Sequence, residues 1–460
     1  MQHPASTLST CVKTRRPFAA FFTLLVLAYG CWLIVFWPGV LGQDSLAILL
    51  EIQKPDSFHS GKPAFWYYFV RLFYQPTQLT EAPIAAIMVL CALIFARILA
   101  WCWAQRLQKT VWFAVVFICL APHTVYFIGT LYPDGIYSVA VAGLMFEVWL
   151  GTRDRKLSPT ALAMVALTLP FAAFARPNGF IFLLPVSILI FMVDRASRRW
   201  LGLVLLAWCV LVLVGSRMHK TSSHGAVYPL AIYETVNFLQ PRPMNLWTAE
   251  PRLLAQTIET LQRHRPIENY LSHYDPDYWD PLQFKEDGPR VMTLPRQDQK
   301  TVVRDFFTYN LWHNFPDFLG SRVNIFFVAA LAQGGLPGYE YSQYIIPQIE
   351  TKSMYRLFQL QKAERVLMKS YSYSFTYRWL LWTPFLGIAL LLWVFVEGLK
   401  RRNAALLIVS IPMGVQLGAI FIFSIAGEYR YLLPFFTVSI ALLPVVAMHR
   451  TDPSPHSATI

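Results

Sequence analysis

Long apolar runs separated by short polar breaks dominate the chain. They lie near 18–37, 82–103, 111–128, 135–150, 160–175, 178–194, 200–216, 378–397, 404–425 and 430–448. Each reaches or approaches the roughly 20 residues that cross a bilayer core. The pattern predicts an all-α polytopic membrane protein with about ten transmembrane helices. The first run follows Lys13, Arg15 and Arg16. At about 20 residues it is longer than a signal-peptide core, and Phe36-Trp37-Pro38 ends it instead of a small-x-small cleavage site. It reads as an uncleaved anchor.

The basic residues set the orientation. Arg106 and Lys109, then Arg153, Arg155 and Lys156, then Arg195, Arg198 and Arg199, then Lys400, Arg401 and Arg402 all fall on one side if ten spans have both termini inside. The short opposite loops carry only Arg176 and Arg430. The apolar run 323–332 would break this parity if it crossed, so the stretch near 318–335 is expected to be an interfacial or re-entrant helix. The resulting division is a cytoplasmic tail at 1–17 and a transmembrane module at 18–216 with external loops at 38–81 and 129–134. A large mixed external domain follows at 217–377, then a second transmembrane module at 378–448 and a tail at 449–460. Within the external domain a helix is expected at 250–265, an aromatic and acidic loop from Tyr270 to Asp280, and an amphipathic stretch at 353–369.

Composition agrees with a lipid-solvated chain. Only 14% of the 460 residues are charged, 55% are hydrophobic, and mean hydropathy is +0.42. Such a balance excludes disorder, a coiled coil and an ordinary cytosolic enzyme. The net charge of +13 is accounted for by the loop clusters, so no nucleic-acid partner is inferred. The cysteines form no CxxC pair and none lies between 217 and 377, which argues against a disulfide framework or a thiolate metal site there. No Asn-x-Ser/Thr sequon occurs, in keeping with a bacterial membrane.

Polar chemistry gathers at the external ends of the spans. Asp44 follows a Pro-Gly turn in Gly42-Gln43-Asp44-Ser45, where it either caps a helix starting at Ser45 or acts chemically. His59 and Lys62 stand further along that loop, Asp134 opens the fourth run, Arg176 precedes Pro177, and Glu428, Arg430 and Tyr431 precede the last run. Carboxylates and guanidiniums on one membrane face suit group transfer from a phosphate-linked donor: arginine binds the phosphate and a carboxylate takes a hydroxyl proton. There is no Walker loop, HExxH or GxSxG, and Asp275-Pro276-Asp277 reads as a turn. No charged residue sits centrally in a span, Arg97 and Glu147 being near the cytoplasmic ends, which argues against an ion-coupled transporter.

These motifs resemble the GT-C superfamily of integral membrane glycosyltransferases, in particular bacterial relatives of the protein O-mannosyltransferases and the lipid A aminoarabinose transferase. The resemblance rests on Gly42-Gln43-Asp44-Ser45 with His59 to Pro63, on Tyr132-Pro133-Asp134-Gly135, on Arg176-Pro177-Asn178-Gly179, on Glu428-Tyr429-Arg430-Tyr431, and on His313 to Leu319 with Arg322. Where better-known members have Asp-Glu in the first loop, this chain has Asp44-Ser45. The resemblance implies a periplasmic site in a bacterial inner membrane and a polyprenyl-phosphate-linked sugar donor, with a glycan, lipid or protein acceptor. It makes Asp44 the base or acceptor-positioning group. Arg176, Arg430 and Lys62 are expected at the donor phosphate, and His59, Glu428, Tyr431 and Arg322 in acceptor or accessory roles. Asp134 either orients the acceptor or holds a divalent cation with Asp44. Two other uses of lipid-linked glycans stay open. One is a transporter or flippase. The other is an O-antigen polymerase or ligase, which would use Arg242, Arg252, Arg263, Arg265, Arg290, Arg296 and Arg304.

Overall fold

The computed structural model describes residues 5–219, 225–241 and 253–451. It is 77% helical, and no strand occurs among the described residues. Every apolar run identified above is helical.

In chain order the first helices are α1 (Ala5–Val35), α2 (Gln43–Gln53), α3 (Ala64–Thr77), α4 (Glu81–Ala104), α5 (Gln108–Ala114), α6 (Pro122–Ile128), α7 (Pro133–Asp154), α8 (Pro159–Phe174), α9 (Leu183–Met192) and α10 (Arg195–Met218). Next come α11 (Val227–Leu239), α12 (Ala255–His264), α13 (Ile267–Ser272), α14 (Asp280–Phe284), α15 (Arg296–Asp305), α16 (Leu311–His313) and α17 (Phe315–Ala330). The chain ends with α18 (Tyr341–Ile345), α19 (Gln361–Thr376), α20 (Arg378–Leu381), α21 (Phe385–Lys400), α22 (Ala404–Phe423), α23 (Leu433–Thr437) and α24 (Ser439–Thr451).

Six helical segments are long and apolar enough to cross a membrane: Arg15–Val35, Glu81–Ala104, Pro133–Asp154, Arg195–Met218, Arg378–Lys400 and Ala404–Phe423. A seventh forms if Gln108–Cys119 and Pro122–Ile128, bent by 60°, count as one span. The bend falls at Pro122, whose missing N–H breaks the helical ladder. Three further apolar helices are shorter, Pro159–Phe174, Pro177–Met192 and Leu433–His449. The chain is a multi-pass membrane protein.

The polypeptide divides into two units. The first comprises residues 1–222, 337–416 and 433–460, and the second 223–336 and 417–432. The division differs from the expected domain at 217–377. Residues 337–377 belong with the first unit, and the end of α22 contributes to the second. The second unit is also helical, not mixed. Polarity marked where the membrane runs stop, but it carried no information on which unit a polar segment packs with.

In the first unit α7 is the central helix. Its spanning stretch is entirely buried, with α4, α8 and α23 packed around it. Polar groups in it are paired: Arg97 of α4 meets Glu147 of α7 at 2.8 Å. The second unit is built around α11, where Tyr233, Val236 and Phe238 join Leu261, Tyr270, Val302, Phe306 and Ile325 in one apolar core. Its α12 begins at Ala255 and not at 250; residues 250–252 lie outside the described residues. The stretch from Tyr270 to Asp280 is part helix, since α13 ends at Ser272. Asp275 accepts the backbone N–H groups of Asp277 and Tyr278 at 2.8 and 3.2 Å, the local turn its sequence suggests. Along α17 the residues Phe315, Leu319, Val323 and Phe327 form an exposed apolar stripe at four-residue spacing. Helix α19 starts at Gln361, later than 353, because Arg356 and Gln359 hold left-handed backbone conformations that interrupt a helix.

Candidate functional site

The segments at 38–81 and 129–134 meet in the first unit. Val40 donates its backbone N–H to Gly129 at 3.1 Å, and Val40 and Thr130 form an isolated parallel bridge. Gly42 lies so close to Tyr132 that a Cβ there would fall 2.2 Å from the phenol oxygen. Only glycine permits that approach. Asp44 stands just beyond Gly42, and Asp134 just beyond Tyr132. The contact therefore brings two acidic helix N-termini from separate parts of the chain to one place.

Helix α2 starts at Gln43, so Asp44 is not its cap. The Ser45 hydroxyl accepts the Gly42 N–H at 3.2 Å and performs that task. Asp44 occupies the first turn, where the helix dipole favours a carboxylate. Its Oδ2 lies 2.7 Å from Lys62 Nζ, and both side chains keep just over a fifth of their surface in contact with solvent. Asp134 occupies the first turn of α7 behind Pro133 at the first helical position. Its carboxylate is ion-paired with Arg176, Asp134 being almost fully buried and Arg176 18% exposed. Pro177 drives Arg176 into extended backbone, which takes the guanidinium out of the α8 helical path. The Arg176 guanidinium also lies over the Tyr137 ring at 5.9 Å.

A third group was not apparent from sequence. Glu51 lies about two turns beyond Asp44, on the same face of α2, and is fully buried. It accepts from the Ser60 hydroxyl, lies 2.9 Å from His219 Nε2, and stands 3.8 Å from His59 Nδ1. The loop after α2 thus folds back along that face, setting Lys62 on Asp44 and Ser60 with His59 on Glu51. The Tyr67 ring stacks on His219 with centroids 3.8 Å apart. Burial, chiefly, raises the Tyr67 phenol above its ordinary range, with Arg71 acting in the opposite direction. The signal for Glu51 was its spacing from Asp44, legible once α2 is known to be a helix. Nothing local marked His219, which ends α10 far along the chain.

An apolar groove of about 570 Å³ runs beside this group between α3, α4, α8 and α10, with Phe65, Phe69, Leu90, Phe171, Trp208 and Leu211 among its walls. Its walls also include Ala64, Tyr68 and Met218, which adjoin Pro63, Tyr67 and His219 in sequence.

The remaining predicted residues belong to the second unit. Glu428 and Arg430 pair with each other at 2.6 Å, and Arg430 lies over the Tyr431 ring at 5.5 Å. Tyr429 donates its N–H to Gly334 at 3.2 Å, which holds this turn against the segment after α17. Beside it, burial is the main influence pushing the Tyr278 phenol up to about 12. Arg322 does not reach an open site, contrary to its expected accessory role. It is fully buried and bonded to Glu234, Ser321, Ser424 and Ile422, the last at 3.2 Å. Burial pushes the Glu234 carboxyl above the usual carboxylate range, and Arg322 opposes that shift. Of the arginines that would serve a polymerase or ligase, Arg263 pairs with Asp298 and Arg304 with Asp305, each at 2.8 Å. Arg242 and Arg252 lie outside the described residues.

Among the described residues no group of three or more His, Cys, Asp or Glu side chains is arranged to hold a metal ion. Asp44 and Asp134 are each engaged by a cationic side chain, so this donor set does not fit a shared divalent cation. Comparison with protein-family models, with curated proteins and with solved structures returned no match.

Proposed function

We propose that the chain is a membrane glycosyltransferase that moves a sugar from a polyprenyl-phosphate-linked donor to an acceptor hydroxyl on the periplasmic face of a bacterial inner membrane. The observation that carries this reading is the meeting of the Asp44 and Asp134 loops, with one cation on each carboxylate, beside an apolar groove. In this reading all ten apolar helices cross or enter the bilayer, both termini are cytoplasmic, and the α17 stripe rests in the interface.

The chemistry follows from the residues. Asp44, paired with Lys62, accepts the proton of the acceptor hydroxyl. The acceptor oxygen forms a bond to the anomeric carbon as the bond from that carbon to the donor phosphate oxygen breaks, with inversion. The polyprenyl phosphate leaves as an anion. Arg176 offers a planar fork of donors to it, and the Lys62 ammonium adds a second positive charge. The isoprenoid chain lies in the groove lined by Phe65, Phe171 and Trp208, where apolar burial favours it at about 25 cal/mol per Å². Asp134 holds Arg176 in place.

Mass analysis of extracted surface glycans and lipids tests the reading. Cells lacking the chain should lose a mass increment of one sugar from one product, and the wild-type gene but not Asp44→Asn should restore it. Glycans and lipids unchanged by deletion, or restored by Asp44→Asn, would remove the proposal. A flippase would show restored product with Asp44→Asn, because translocation needs no base.

A further inference from the structure

Helix α19 presents an unusual outer face. At about 100° per residue, Lys362, Arg365, Val366, Lys369, Tyr373 and Tyr377 share one side, and all are exposed. The opposite side is anchored to the first unit. Tyr371 packs within 5.4 Å of the Tyr126, Tyr339 and Trp382 rings, and Ser374 accepts from the Trp382 indole at 2.5 Å. Glu364 is ion-paired with Arg356. The three basic residues of the outer face make no ion pair or side-chain hydrogen bond among the described residues.

Both ends of the helix are tied to the mouths of membrane spans. Before it, Arg356 donates its backbone N–H to Trp37 at 3.0 Å, and the Phe358 ring meets Trp37 edge-on at 5.1 Å. Trp37 lies just past the span Arg15–Val35. After it, Arg378 opens the span Arg378–Lys400. The helix is about 24 Å long and reaches from beside the end of one candidate span to the start of another. Exposed apolar groups flank it at both ends: Leu357, Phe358 and Leu360 on one side, Trp379 and Leu380 on the other. Aromatic and aliphatic groups at the interface with lysines between them match the lipid boundary and not bulk water.

We propose that α19 lies in the plane of the membrane surface and binds anionic phospholipid headgroups through Lys362, Arg365 and Lys369. The inference is independent of the sugar-transfer reading, since it uses no residue assigned to that reaction. Opposite charge selects the headgroup phosphate, and the flanking apolar side chains hold the helix at that depth.

Native mass spectrometry of the purified full chain, exposed to equal phosphatidylglycerol and phosphatidylcholine, tests it. The wild type should retain phosphatidylglycerol in excess. The Lys362→Gln/Arg365→Gln/Lys369→Gln variant should lose that excess by at least about fivefold, the equivalent of one basic residue's roughly 1 kcal/mol near an anionic surface. A control that removes equal charge from exposed positions elsewhere, Lys285→Gln/Arg296→Gln/Lys300→Gln, should keep it. Equal retention of the two lipids by the wild type, or an equal loss in both triple variants, overturns the proposal. If the α19 variant fails to fold, Lys362→Arg/Lys369→Arg must keep the excess and Lys369→Glu alone must reduce it; the reverse pattern also overturns it.

Discussion

Two arginine–carboxylate pairs in this chain share chemistry but not setting. Arg322 and Glu234 are both sealed from solvent in the second unit. Arg176 and Asp134, in the first unit, leave the guanidinium 18% exposed while the carboxylate is hidden. The first pair is enclosed by protein, with Ser321 and two carbonyls accepting from the other guanidinium nitrogens and Nε left without a hydrogen-bond partner among the described residues. The second has a buried half that fixes position and an accessible half able to meet a ligand. Asp44 and Lys62 are more open still. A buried charge pair contributes little net stability yet is costly to break, whereas a half-open one is suited to binding.

The comparison can be broken at several points. Arg322→Met should have the largest effect, a loss of about 3–5 kcal/mol because Glu234 is left as an uncompensated buried charge. Thermal unfolding of the purified chain measures it, and Glu234→Leu in the same background should restore most of the loss. A single variant as stable as wild type would show that the sealed pair is dispensable. Next, Arg176→Lys keeps the charge but loses the planar fork. It should cost roughly 1.5–3 kcal/mol, read mainly as a raised donor KM, whereas a change confined to melting temperature would make Arg176 purely structural. Gly42→Ala drives a methyl into Tyr132 and should cost about 1–3 kcal/mol. Adding Tyr132→Phe removes the clashing oxygen and should recover part of it, and absence of recovery would place the strain elsewhere. Lys62→Gln should be the mildest, changing stability by less than about 1 kcal/mol while raising donor KM less than Arg176→Lys does.

Much of the helical layout was legible because lipid-facing and core-facing runs are apolar all round, so length alone marks them. Asp44, Lys62, Asp134 and Arg176 were legible as polar residues beside the ends of apolar runs, and Asp44–Lys62 and Asp134–Arg176 are paired in the fold. Glu51 and His219 were not, since a glutamate inside a short helix and a histidine at a helix end look like ordinary surface residues until burial is known. Arg322 misled for the converse reason: a charged residue beside an apolar run reads as a membrane-edge group, and only packing reveals its partner Glu234. Residues 337–377 looked like part of the polar domain because composition does not record that Tyr339 and Tyr371 pack on Tyr126.

The central claim is that Asp44 and Asp134, carried on segments joined by the Val40–Gly129 contact, serve one reaction centre. A double-mutant cycle on sugar transfer in membranes tests it, comparing Asp44→Asn, Asp134→Asn and the double variant. Loss of the base should lower transfer about 10²–10⁴-fold, and the double variant should fall little below the worse single, because groups acting in one step are not additive. Effects that multiply as if independent, or full transfer by Asp44→Asn, would contradict the account.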